Sequence, residues 1–79
     1  MKDFISFLVT AIVTHKDAVS VAENDSDWGK EFVVHVHKED MGLVIGKGGK
    51  VIGSIRQLTK IIALKNDEHI TIRLAEDAS

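Results

Sequence analysis

Hydrophobic residues in the first half of the chain recur with two different spacings. Between residues 3 and 14 they follow helical spacing, which predicts an amphipathic helix containing Phe4, Ile5, Leu8, Ala11 and Ile12. Alternation then predicts a short strand at Val19 and Val21 and a second, half-buried strand at Phe32, Val34 and Val36. The polar segment 23–30 between them predicts a connecting loop, so the two strands should form an antiparallel hairpin.

The second half predicts two helices and a third strand. Glu39 and Asp40 suit the first turn of a short helix running to about Ile45, because the positive end of the helix dipole stabilises carboxylates. After the glycines of 46–49, a longer helix over 50–65 is predicted by Val51, Ile52, Ile55, Leu58, Thr59 and Ile62. Asn66, which tolerates the left-handed conformation, should end that helix. The third strand is predicted by Ile70, Ile72 and Leu74.

The predicted order, α-β-β-α-α-β, describes an α+β domain in which helices pack on one face of a three-stranded sheet. A chain of 79 residues has room for one small core and not for a large catalytic cleft. We therefore expect a single domain over residues 1–79, closing with a short acidic tail at 76–79.

Composition and charge narrow the class of protein. The chain has no cysteine, so neither disulfides nor a thiolate metal site are expected. The apolar run from Phe4 to Val13 is well short of the ~20 residues that cross a bilayer, and a secretory signal is not evident, so we expect a cytoplasmic protein without a membrane partner. The formal charge is −2, yet every charge between Gly46 and Lys65 is positive, which predicts a local cationic surface on an acidic body.

The cationic segment begins with the sequence VIGKGGKVI, residues 44–52. Glycines let a ligand backbone approach closely, and the start of a helix supplies free N–H groups and a positive field for phosphate. A helix–turn–helix connection that simply requires glycine is the plain alternative. A Walker A loop is excluded because Met41 stands where its first glycine belongs, and a Rossmann fingerprint is excluded because Val51 replaces its last.

What remains is a G-x-x-G loop between two predicted helices, with aliphatic residues on both sides. Together with the order of the elements, this resembles a type II KH domain, in which such a loop clamps the backbone of about four nucleotides of single-stranded RNA or DNA. The segment HKEDMGLVIGKGGKVIGSIR is similar to the small stand-alone bacterial KH proteins of the KhpA/YlqC family, although Gly53 stands where alanine is usual.

The resemblance implies a cytoplasmic RNA-binding protein that forms homodimers and pairs with a larger KhpB/Jag-like KH protein. It also implies a post-transcriptional regulator or RNA chaperone with a role in cell elongation and shape. By the same resemblance, Gly46, Lys47, Gly48 and Gly49 hold the nucleic-acid backbone, with Lys50 adding charge. The floor of the base groove would be formed by Val44, Ile45 and Ile52, unless these are plain core, and its opposite wall by strand two around 34–36. Arg56 and Lys60 are further phosphate contacts or a solvated helix face.

No catalytic residue, metal or cofactor is expected. His35 and His37 share one side of a strand, but no third ligand is evident nearby. An enzyme would need paired titratable groups or an activated nucleophile, and Ser54 has no histidine predicted beside it.

A partner surface is the alternative to RNA binding. Leu58, Ile61 and Leu64 widen the apolar face of helix 50–65 beyond what a small sheet covers, and the first helix shows a similar excess. The chain would then be a dimerisation module whose nucleic-acid binding is vestigial.

Overall fold

The structure is a computed structural model that describes residues 1–27 and 29–75. It contains three α-helices, α1 (Lys2–Thr10), α2 (Met41–Ile45) and α3 (Lys50–Lys65), and three strands, β1 (Ser20–Ser26), β2 (Gly29–His35) and β3 (Ile70–Leu74). Short 3-10 turns occupy Lys16–Ala18, Lys38–Asp40 and Lys47–Gly49. The predicted acidic tail at 76–79 lies outside the described residues. The predicted element order and the α+β class are confirmed.

The strands form one mixed sheet in the order β1-β2-β3. β1 pairs antiparallel with β2, as predicted, with Val21 opposite Val34. β3 pairs parallel with β2, with Phe32 opposite Ile72. A parallel pair cannot be joined by a tight turn, and the chain between β2 and β3 contains α2 and α3.

The core lies between the sheet and the helices. α1 contributes Ile5 and Val9, and α3 contributes Ile52 and Ile55. The alternating strand residues facing them are Val21, Phe32, Val34 and Ile72. No helix in the described part of the chain is long and apolar enough to cross a membrane.

Two predicted boundaries in the first half are wrong. α1 ends at Thr10 rather than near residue 14, although Val13 stays buried in the core. The chain turns at Ala11 and Ile12, and the backbone N–H of His15 then donates to Asp40 Oδ2 at 2.8 Å. Most of the predicted loop 23–30 is strand, since β1 continues to Ser26 and β2 begins at Gly29. Its polar side chains are exposed, so backbone pairing rather than burial holds this part of the hairpin.

The predicted helix over 50–65 and the third strand are confirmed at their stated residues. The predicted role of Asn66 is wrong in one respect. Its φ is −102°, and the left-handed residue is Asp67, with φ 57°. Asn66 instead closes the helix through its side chain, whose Nδ2 donates to the carbonyl of Ile62 at 3.1 Å.

Candidate nucleic-acid interface

The segment Gly46–Gly49 joins α2 to α3 and has three glycines with positive φ, 75° at Gly46, 65° at Gly48 and 76° at Gly49. Gly46 also needs its missing side chain for space, because a Cβ there would collide with Val51. A Cβ at Gly48 or Gly49 would meet no atom within 4 Å. The glycine at 46 is therefore fixed by packing, whereas the other two present bare backbone to solvent.

Two lysines stand on this bare backbone. Lys47 and Lys50 are both exposed, and Lys50 is the first residue of α3. No ion pair joins either lysine to an acidic side chain among residues 1–27 and 29–75. The N–H groups of Gly49 and Lys50 already donate to the carbonyls of Gly46 and Lys47, so the start of α3 combines lysine charge with the positive end of the helix dipole. An anion can bind here without displacing an acidic side chain of the described residues from either lysine.

The three aliphatic residues predicted for the groove floor have different environments. Val44 and Ile52 belong to the core cluster and are buried. Ile45 is 38% exposed and lies next to the loop. A base at this surface would contact Ile45 directly and would be supported from below by the other two.

A groove next to the loop runs between α3 and the free edge of β3. It is lined by Arg56, Thr59, Lys60, Ile70, Thr71 and Ile72. Arg56 Nε donates to the carbonyl of Ile72 at 3.1 Å, which fixes the guanidinium across the groove. Val34 and Val36 of the predicted opposite wall are buried in the core, and the strand side of this groove comes from β3. The position of β3 beside α3 follows from the order of the strands in the sheet. The alternation of residues 70–74 predicts a strand but not its place in that order.

The other flank of α3 faces α1. A second groove between the two helices is lined by Leu8, Ile12, Lys50, Val51, Ser54, Ile55 and Leu58. The predicted partner residues Leu58, Ile61 and Leu64 are all exposed. On α1, Phe7 is 69% exposed, so the apolar excess predicted for the first helix includes an exposed aromatic side chain.

The start of α2 is held by a buried carboxylate. Asp40 is buried and accepts hydrogen bonds from the Thr14 hydroxyl at 2.6 Å and the His15 backbone N–H at 2.8 Å. Burial opposes ionisation of Asp40, but these hydrogen bonds and one from the His15 ring outweigh it and hold its pKa well below the usual range. The carboxylate thereby anchors the chain before the glycine loop to the turn after α1. His37 does not lie on a strand beside His35 as predicted, because β2 ends at His35, and the His37 ring stacks on that of His15.

Comparison with known proteins gave a family and named relatives. A family model for the KH domain of KhpA and KhpB matches residues 2–74. The RNA-binding protein KhpA of Listeria monocytogenes is 34% identical over 76 residues, which covers 96% of this chain and 100% of the relative. The RNA-binding protein KhpA of Thermotoga maritima is 34% identical over 74 residues, covering 94% and 97%. That of Halalkalibacterium halodurans is 30% identical over 76 residues, covering 96% and 100%. No solved structure gave a significant match.

Proposed function

The chain belongs to the KhpA/KhpB family of KH domains, and we propose that it binds single-stranded RNA without catalysing a reaction. The observation that carries this proposal is the open backbone at Gly48 and Gly49, flanked by the positively charged side chains of Lys47 and Lys50. The relatives are named RNA-binding protein KhpA, which agrees with the proposed RNA binding. In the cell, the chain would act in the cytoplasm as a post-transcriptional regulator or RNA chaperone.

The loop would hold the sugar-phosphate backbone. A strand can lie against Gly48 and Gly49 because no protein atom is within 4 Å of where their side chains would be. The positive end of the α3 dipole and the two lysines supply the positive field that attracts phosphate. Gly46 takes part indirectly, since its backbone sets the direction in which the loop leaves α2.

The bases would follow the groove between α3 and β3. Ile45 provides an exposed apolar contact at the loop end, above the buried Val44 and Ile52. Arg56 lies about 9 Å further along α3 than Lys50, and Lys60 about 15 Å, at the usual rise of 1.5 Å per residue. These two cations would meet later phosphates or base edges. The short groove accommodates about four nucleotides, as is typical of KH domains.

Fluorescence anisotropy with a short single-stranded RNA at two salt concentrations tests this proposal. The test variant is Lys47→Asp with Gly48→Asp, which reverses the charge of the loop and covers its open backbone. The matched control is Lys2→Asp with Ser20→Asp, which makes the same change in net charge at exposed positions outside the groove. Circular dichroism verifies that both variants are folded.

We expect the native protein and the control to bind with micromolar affinity, about 8 kcal/mol, and the loop variant to lose binding. Affinity should fall steeply with salt, with a slope of about −0.7 in log K against log salt for each phosphate neutralised. Equal binding by the loop variant and the control, or no binding by the native protein, would remove the loop from the proposed function. Titrations of DNA and duplex RNA with the native protein then define which nucleic acid is preferred.

A second function is supported by the exposed apolar residues on α1 and α3. Phe7, Leu58 and Ile61 are large, exposed and apolar, and the groove between the two helices continues this surface inward. A small domain gains stability by covering such a surface with a partner. We propose a second copy of the chain as that partner, or a KhpB/Jag-like KH protein as the family resemblance implies.

Light scattering over a range of concentrations tests the second function. The native protein should approach twice the 8.7 kDa mass of one chain as concentration rises. Leu58→Lys with Ile61→Lys should stay monomeric, while Lys60→Ala, on the flank facing β3, should behave like the native protein. A native protein that is monomeric at every concentration contradicts self-association, and mixing with a KhpB/Jag-like protein then tests the other partner.

A further inference from the structure

Two histidines and a glutamate that are distant in sequence meet on the side of the domain where α1 ends and α2 begins. The rings of His15 and His37 stack with their centroids 3.9 Å apart and their planes 13° apart. Glu39 lies beside both, and one possible ligand atom from each of the three residues lies within 4.8 Å of the others. We call these three residues the His15–His37–Glu39 cluster. None of them lines the groove between α3 and β3.

His15 is already oriented as a metal ligand would be. Its Nδ1 lies 3.0 Å from Oδ2 of the buried Asp40, and the other carboxylate oxygen accepts from the Thr14 hydroxyl. A carboxylate at Nδ1 favours the tautomer with the proton on that nitrogen, so the lone pair of Nε2 is free. His15 Nε2 points toward Glu39 and lies 3.5 Å from Glu39 Oε1. This is the carboxylate–histidine arrangement that commonly supports zinc ligands.

His37 supplies the second nitrogen. Its Nδ1 accepts the backbone N–H of Glu39 at 3.0 Å and lies 3.7 Å from Glu39 Oε1. A metal bound to His37 would replace or rearrange that single exposed hydrogen bond. Tetrahedral zinc with bonds of about 2.0–2.1 Å holds its ligand atoms about 3.3 Å apart. Glu39 Oε1 already lies 3.5 Å and 3.7 Å from the two nitrogens, so the remaining closure, up to about 1.5 Å, is between the two imidazoles. The His37 ring, which Asp40 does not hold, has to tilt out of its stack on His15 to point its nitrogen at the same ion.

We infer that the His15–His37–Glu39 cluster is a binding site for one Zn²⁺ ion, with Asp40 as the residue that orients His15. Two neutral imidazoles and one carboxylate are a donor set that zinc accepts, with water in the fourth position. The ion would join the turn after α1 to the start of α2, the helix that leads into the glycine loop. This inference is independent of the proposed RNA binding, because it uses none of the groove residues.

Calorimetric titration of the full chain with ZnCl2 in a chelator-free buffer near neutral pH tests the inference. NMR of the histidine rings in the same titration identifies the ligands. We expect one ion per chain, with shifts at the His15 and His37 rings and none at His35 and His69. Loss of a residue that supports a metal ligand typically costs about tenfold to hundredfold in metal affinity. Glu39→Gln and His37→Ala, which remove ligands, should each weaken zinc binding by at least that factor. The matched control, His35→Ala with His69→Ala, removes two histidines outside the cluster and should bind as the native protein does.

A folding defect in His37→Ala is separated from ligand loss by Glu39→Gln, which keeps the size of the side chain and the backbone N–H that His37 accepts. Zinc should raise the Tm of the native protein and of the control but not that of Glu39→Gln, because a ligand that binds only the folded state stabilises it. The inference is overturned by absence of saturable binding to the native protein. It is equally overturned if the control loses as much affinity as the cluster variants, or if several ions bind without selective shifts at His15 and His37.

Discussion

Replacing Gly46 with alanine would place a methyl group in space that Val51 already fills. A Cβ on Gly46 would collide with the Val51 side chain and stand 2.8 Å from its backbone nitrogen. The backbone at Gly46, with φ 75° and ψ 173°, lies in a region that is essentially restricted to glycine, at a cost of about 1–3 kcal/mol for other residues. Val51 sits in the first turn of α3 and cannot retreat without moving the helix, so the overlap adds about 1–3 kcal/mol.

We expect Gly46→Ala to lower the free energy of unfolding by about 3 kcal/mol or more. A domain of this length is typically stable by only about 4–12 kcal/mol, so the loss is a large fraction of the total. The Tm should fall by roughly 15 °C. Urea denaturation and thermal unfolding, both followed by circular dichroism, measure the two quantities.

Gly48→Ala is the matched control, because it keeps the positive φ but removes the collision. Gly48 has φ 65° and no atom within 4 Å of its Cβ position. Alanine there should cost about 1–2 kcal/mol, the usual penalty for a left-handed residue. Equal losses in the two variants would mean that contact with Val51 contributes nothing. A Gly46→Ala protein within about 0.5 kcal/mol of the native protein would refute the whole argument.

Four other variants have expected outcomes. Gly53→Ala should raise the free energy of unfolding by about 1 kcal/mol, because Gly53 is inside α3 and a Cβ there meets no atom; a denaturation midpoint at or below that of the native protein would contradict this. Ile52→Ala should lower the free energy of unfolding by about 2–5 kcal/mol, because Ile52 is a core residue. Ile45→Ser should lower it by less than about 1 kcal/mol but weaken RNA binding in the anisotropy assay. Unchanged RNA binding by Ile45→Ser would exclude a contact between Ile45 and a base. Lys50→Ala should reduce the salt slope of RNA binding by about 0.7, and an unchanged slope would show that Lys50 neutralises no phosphate.

The second half of the chain was more predictable from sequence than the first because its patterns are long. Helix α3 repeats its apolar spacing over four turns, and the structure has it at the predicted residues. β3 alternates without interruption over its five residues. In both elements several side chains of the pattern reach the core, among them Ile52 and Ile55 of α3 and Ile72 of β3, so local pattern and tertiary packing agree there, while Leu58 of the same pattern is exposed.

The hairpin and the end of α1 were less predictable because side-chain pattern does not determine them. The far half of β1 exposes every side chain, and only pairing with β2 makes it a strand. α1 is followed by a turn that Asp40, some 25 residues later, holds through the backbone N–H of His15. Neither partner of this contact is recognisable in the sequence, since an aspartate before a helix ordinarily suggests a solvated first turn.

The candidate site divides in the same way. The glycine loop is recognisable in the sequence, because positive φ at consecutive positions leaves few alternatives to glycine. The opposite wall was predicted on β2, whereas the groove beside α3 is lined by β3, whose parallel pairing with β2 depends on a crossover of more than thirty residues. The structure leaves the edge of β3, with Arg56 across it, as the wall next to α3.

The two proposed surfaces can operate at the same time because α3 carries them on different flanks. Arg56 and Leu58 are two residues apart, which separates them by about 200° around a helix. Arg56 is bonded to β3, while Leu58 lines the groove toward α1, and the buried Ile55 and Thr59 lie between the two flanks. A partner on the α1 side would therefore leave the groove between α3 and β3 open, while Lys50, proposed to neutralise phosphate, also lines the groove toward α1 and would be shared by the two surfaces. Two such grooves in one dimer would make the second binding event intramolecular, so a weak single groove would gain affinity without any new contact to RNA.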